Sequence, residues 1–94
     1  MPGVLRKGDV SQGHGCFPSR PNQTGSSTTF VDNKPIHRKG DNWLVHQCDD
    51  NIHDGILSSG SNTGFVDNKP LGRIGDNISC GDKAKTGSNT VFVN

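Results

Sequence analysis

Each of three Gly-Asp pairs in this chain is followed, at nearly the same distance, by a side chain that binds zinc well. His14 lies five residues after Asp9, His46 five after Asp41, and Cys80 four after Asp76. If the three segments are arranged about a common axis, one imidazole or thiolate from each converges on it. A structural zinc takes four nitrogen or sulfur ligands in a tetrahedron. His53, in the variable loop of the middle segment, is the best source of the fourth. The expected set is His14, His46, His53 and Cys80, with Cys48, then Cys16 and His37, as alternative fourth ligands. One histidine in a glycine-rich loop is more often simply solvated. Two histidines and a cysteine at equivalent positions argue for convergence.

The elements that must position these side chains are internal repeats. Gly25-Ser-Ser-Thr-Thr-Phe-Val-Asp-Asn-Lys-Pro-Ile-His-Arg-Lys-Gly-Asp41 matches Gly60–Asp76 at 12 of 17 positions, differing only at Ser27/Asn62, Thr29/Gly64, Ile36/Leu71, His37/Gly72 and Lys39/Ile74. A third copy starts at Gly87 and runs Gly-Ser-Asn-Thr-Val-Phe-Val-Asn94, and Gly8-Asp9 matches the pair that closes each full copy. The chain therefore reads as one domain, 1–94, with units of about 8–41, 41–76 and 76–94. Thr-x-Phe-Val favours strand, and Asp32-Asn33 and Asp67-Asn68 tolerate the positive φ of a two-residue hairpin turn. Pro35 and Pro70 cannot donate to a ladder and belong at a strand edge or just past the turn. No useful window has helical periodicity, and 13 glycines and 5 prolines would interrupt one. An all-β fold of three hairpin-like repeats, able to pack about a pseudo-threefold axis, is expected.

Composition explains why a metal is needed. Hydrophobic residues make up 28% of the chain, yet the net charge is only +1, so the combination typical of disorder is missing. A core this thin in a domain this small calls for a disulfide, a metal or a docking partner. Disulfides fit poorly, because three cysteines cannot all pair and Met-Pro-Gly-Val-Leu-Arg-Lys-Gly lacks the apolar stretch of a secretory signal. Folding in a reducing cytoplasm is expected. No apolar run is long enough to span a membrane. A bound metal would act as the missing staple.

Several segments have a recognisable form: Gly8-Asp9…Gly13-His14-Gly15, Gly25-Ser26…Phe30-Val31, Pro35-Ile36-His37-Arg38-x-Gly40-Asp41, Pro70-Leu71-Gly72-Arg73-x-Gly75-Asp76, Ser79-Cys80-Gly81 and Gly87-Ser88…Phe92-Val93-Asn94. On these the chain resembles the PAAR-repeat proteins, conical spike tips of contractile phage tails and type VI secretion systems. The name-giving Pro-Ala-Ala-Arg occurs here only as Pro-x-x-Arg.

The resemblance implies a small β cone with a zinc near its apex, held by three histidines and one cysteine. It also implies a base that caps the blunt end of a trimeric β-helical spike, one monomer per trimer, covering open strand edges. A virion tail tip, or the tip of a secreted injection apparatus, would touch the target cell envelope transiently. It would be made in the bacterial cytoplasm without a signal peptide, and the lack of a fused effector favours the phage tail. Phe30, Phe65, Phe92, Val31, Val66 and Val93 are the candidate docking residues, the alternative being that they form the core.

Two other functions compete. A small zinc hydrolase would use His14, His46 and Cys80 with water in the fourth position and Asp54 or Asp49 as base. It would need an open site and a pocket, for which the chain has little room. A zinc-ribbon-like nucleic-acid module would need a basic patch alternating with aromatics, which is missing. No enzyme activity, small-molecule substrate or nucleic-acid partner is expected. Arg38 with Asp41 and Arg73 with Asp76 read as turn-stabilising pairs, and Trp43 as packing beside the His46 loop.

Overall fold

Three two-stranded antiparallel hairpins account for every named strand in the computed structural model, which describes residues 1–94. Strands β1 (Phe30–Val31) and β2 (Lys34–Pro35) flank Asp32-Asn33, and β5 (Phe65–Val66) and β6 (Lys69–Pro70) flank Asp67-Asn68. The turn residues have φ of 55° and 64° in the first hairpin and 54° and 64° in the second, as a type I′ turn requires. The fold is all-β, and no helix is long and apolar enough to cross a membrane.

The other hairpin departs from expectation. It comes from the variable loop of the middle unit, where β3 (Asn42–Cys48) pairs with β4 (Asn51–Ile56). The third repeat forms no hairpin of its own. Its Phe92 bridges Gly3, and the Val93 amide donates to the Pro2 carbonyl at 3.0 Å, so the returning strand comes from the opposite end of the chain. Val4-Leu5-Arg6-Lys7-Gly8-Asp9 thus occupies the place of Ile36–Asp41 and Leu71–Asp76, and the repeat extends further towards the N-terminus than the sequence pattern alone suggested.

Three equivalent residues link the copies around a pseudo-threefold axis. The Leu5 amide donates to the Gly72 carbonyl at 2.9 Å, that of His37 to Leu5 at 3.0 Å, and that of Gly72 to His37 at 2.9 Å. Gly72 has to be glycine, because a Cβ there would lie 2.7 Å from Leu57 Cδ2 and 2.9 Å from the His37 carbonyl oxygen. Arg6, Arg38 and Arg73 each open a turn whose third residue is glycine at φ 92–93° and whose fourth is aspartate, the form of a type II turn. In each the guanidinium clamps the carboxylate, with closest contacts of 3.0, 2.9 and 2.7 Å at Asp9, Asp41 and Asp76. The repeated Arg-x-Gly-Asp is therefore a turn device, as expected.

The junctions between copies are also cyclic. Ser26 Oγ accepts from the Thr28 and Thr29 amides and donates to Asp67, and Ser88 Oγ accepts from Thr90 and Val91 and donates to Asp32. Ser61 accepts from Thr63 and Gly64 and donates to the main-chain oxygen of Asn94, which stands where the other copies have Asp32 and Asp67. Arg6 and Arg38 add ion pairs to Asp32 and Asp67.

Two small cores sit along the axis. Val4, Val31 and Ile36, with Val66, Leu71 and Val93 against them, fill the space between the hairpins. Leu5, Trp43, Leu57, Ile78 and Ala84 form the other cluster, against which Ile74 and Cys80 pack. The chain steps from one to the other between Val4 and Leu5. The molecule has one long dimension and two nearly equal short ones, 38 × 24 × 22 Å, as a body built round a single axis has.

Candidate metal centre

A β-bulge gives the centre its first two side chains. Trp43 opposes Gly55 and His46 opposes His53, so Leu44 and Val45 together face Asp54 alone. Without that extra residue, positions 43 and 46 would face opposite sides of the strand. With it, Trp43, His46 and Cys48 all turn inward, and each is buried. His53, directly across from His46, presents its imidazole to the same face.

His14 arrives on a tight loop in which the His14 amide donates to the Phe17 carbonyl at 3.1 Å and the Phe17 amide to the His14 carbonyl at 2.9 Å. Cys80 sits in a turn closed by the Gly81 amide on the Ile78 carbonyl, with Gly81 at φ 99°.

These four side chains meet. The Nε2 atoms of His14 and His46 are 3.2 Å apart, those of His14 and His53 3.1 Å, and those of His46 and His53 2.6 Å. All four donor atoms, Cys80 Sγ included, lie within 4.8 Å of one another. Each neutral imidazole Nε2 carries either a proton or a lone pair, never both, so N–H···N bonds cannot be made along all three edges of such a triangle. A cation at the centre satisfies all three lone pairs at once. Tetrahedral zinc with Zn–N of about 2.0–2.1 Å would set the nitrogens roughly 3.3 Å apart, near two of the three observed separations.

The surroundings suit that role. His46 Nδ1 donates to the Pro18 carbonyl at 2.8 Å, which leaves Nε2 free as a ligand. Burial, reinforced by the Arg20 charge, holds His46 below the ordinary histidine range despite the opposing Pro18 bond, favouring the neutral, ligating form. The Phe17 ring lies 4.9, 4.8 and 4.2 Å from the imidazoles of His14, His46 and His53. Arg20 Nη2 donates to Cys80 Sγ at 3.3 Å, while its Nη1 pairs with buried Asp82 at 2.6 Å and its Nε donates to the Leu44 carbonyl.

The three alternative fourth ligands are placed elsewhere. Cys16 and Cys48 form a disulfide, with Cα atoms 5.5 Å apart, contrary to the expectation that disulfides fit poorly. They occupy matching places, two residues beyond His14 and His46, and the cysteine left over is the one in the metal group. His37 is fully buried on the axis, its Nδ1 2.7 Å from the Thr24 carbonyl and its ring edge-on to Trp43. Burial keeps it neutral.

The candidate docking residues divide. Phe30, Phe65 and Phe92 are 56%, 57% and 48% exposed, whereas Val31, Val66 and Val93 face the core between the hairpins. Asp49 and Asp54, the bases a hydrolase would use, are exposed and lie outside the four-residue group.

Phe17, Pro18, Arg20 and Asp82 escaped sequence reasoning. Two signals were present. Arg20 is the only arginine outside the Arg-x-Gly-Asp turns, and Asp82 stands two residues beyond Cys80, as Cys16 and Cys48 stand beyond their histidines.

No curated protein matches the chain. The model of the PAAR motif family matches residues 12–86, a span that holds all four side chains of the centre. With repeats, hairpins and a His/Cys cluster in agreement, the chain belongs to the PAAR motif family.

Proposed function

We propose that this protein is the metal-stapled tip of a contractile injection machine, one monomer capping and sharpening a trimeric β-helical spike. The PAAR motif fits a spike-tip protein of such machines. The observation that carries the finer reading is the trio of exposed phenylalanines, Phe30, Phe65 and Phe92, at equivalent positions about the pseudo-threefold axis. Three matching apolar contacts from one chain suit the end of a threefold partner. Solvent-facing aromatics on short hairpins otherwise have no packing role in the monomer.

His14, His46, His53 and Cys80 are the proposed ligands, and Zn2+ is the proposed ion. Four protein ligands fill a tetrahedron and suit a structural rather than a catalytic site. When bound, the ion would cross-link the His14 loop, the β3–β4 hairpin and the Cys80 turn.

The test is co-purification with a trimeric β-helical spike protein of such a machine. Phe30→Asp, Phe65→Asp and Phe92→Asp are expected to weaken capture while leaving metal content at one ion per chain. Undiminished capture by the triple variant would sink the docking surface, and absence of metal by elemental analysis would sink the centre.

A further inference from the structure

The Cys16–Cys48 bond lies outside the metal group, yet it is fastened to segments that carry three of its four side chains. Cys16 sits inside the His14–Phe17 loop, and Cys48 ends β3, which bears His46 and pairs with the strand that bears His53. From the Cys16 side, three contacts reach the centre: His14 Nε2 itself, the Phe17 ring against all three imidazoles, and the Pro18 carbonyl that orients His46. Cutting the bond removes the covalent tie between that loop and β3 and leaves the His46–Pro18 hydrogen bond and the Phe17 ring to hold it. The two thiols it frees lie with Asp49 within 4.8 Å of one another, a three-donor group against the four donors of the centre.

We propose that the Cys16–Cys48 couple is thermodynamically linked to metal occupancy. The disulfide holds residues 14–18 on β3 in ligating geometry, and a bound zinc-class cation in turn makes the disulfide harder to reduce. The inference rests on the metal-centre reading above.

Oxidation by a small-molecule disulfide balances simply. One protein thiolate attacks the reagent and expels a thiolate, giving a mixed disulfide. The second protein thiolate then attacks the protein sulfur of that intermediate and expels the other. Two electrons pass from the protein to the reagent, and the two protein protons end on the two expelled thiols. Cys16 is exposed and Cys48 buried, so the reagent meets Cys16 first. Coupling between two such equilibria is reciprocal, and where it exists it spans roughly 5–150-fold.

The experiment equilibrates the whole protein in glutathione buffers of graded ratio, with one equivalent of zinc or with chelator. Thiols at Cys16 and Cys48 are counted by alkylation and mass spectrometry, and bound zinc by equilibrium dialysis. The value of [GSH]²/[GSSG] at half-reduction is expected to rise about tenfold with zinc, and zinc affinity to fall by the same factor on reduction. The double variant Cys16→Ser/Cys48→Ser is expected to bind zinc with the affinity of the reduced protein, independently of the buffer.

Zinc bound with an unmoved midpoint overturns the linkage and leaves the metal centre standing. Cysteines that stay alkylatable in oxidised glutathione overturn it too. No zinc binding in any buffer overturns both.

Discussion

Arg20 joins the metal centre to the core through several groups at once, reaching Cys80 Sγ, Asp82, Ser11 and the Leu44 carbonyl while its guanidinium lies 5.6 Å from the Trp43 ring centroid. Removing one partner of a buried ion pair strands the other without water, at a cost of about 3–5 kcal/mol. Arg20→Met is therefore expected to lose that much in urea unfolding, and Asp82→Asn added to it is expected to recover part. A loss equal in the single and double variants would deny the pairing its role. The ligands give a second prediction. In His14→Ala or Cys80→Ser, metal content falls and the melting temperature in zinc drops to that of the wild type in chelator, because metal affinity is folding free energy. Three of the four side chains that the fold brings together were legible because each sits at a repeated offset from Gly-Asp, and His53 was reached only as the fourth donor that a tetrahedron needs. Arg20 was not, since its partners lie on three separate segments that no spacing connects.

Among the elements, the two Asp-Asn hairpins were readable because turn type and residue type agree at two adjacent positions. The bulge in β3 was not. Its inward residues Trp43, His46 and Cys48 are spaced by three and then two, which breaks the period expected of a strand. The hairpin turns are also acid-sensitive. Hydrogen bonds from Thr90 and Ser88, then Arg6, hold Asp32 below its ordinary 3.8, and Ser26 and Thr28, then Arg38, do the same for Asp67. Burial raises Asp41 and Asp82, but hydrogen bonds from Arg38 outweigh it at the first, and those from Ser11 and the Lys83 amide, aided by Arg20, at the second. A carboxylate depressed in the fold stabilises it fully above the unfolded pKa and loses that contribution as pH falls through the folded one. In chelated protein, stability credited to these carboxylates is thus expected to hold down to about pH 4 and to fall below it. Asp32→Asn/Asp67→Asn should flatten the decline, as followed by circular dichroism; an unaltered acid limb would contradict this. Ser88→Ala leaves the Thr90 and Val91 amides without their acceptor and is expected to cost about 1–3 kcal/mol in the same assay.

On the scale of the whole molecule, the pairing of the third repeat was illegible because its two partners stand at opposite ends of the sequence. Asn94 takes the place of Asp32, so Met1 and Pro2 fall where Asn33 and Lys34 stand in the first hairpin. A permutant in which residue 94 is joined directly to residue 1, and the backbone is opened between Asp67 and Asn68, is expected to fold, bind one metal and melt within a few degrees of the parent. Failure to bind metal would show that the open turn cannot be moved from one copy to another.

The hydrogen bonds among Leu5, His37 and Gly72 form a circuit with a direction, each residue donating to one neighbour and accepting from the other. A linear array of repeats frays from its ends, because a terminal unit loses only one interface. A circuit of three has no terminal unit, and removing any member costs both of its junctions. Unfolding should therefore be all-or-none, with the calorimetric and van't Hoff enthalpies equal. For the spike tip proposed above, that means it would not blunt by degrees: under load the point would be either whole or gone.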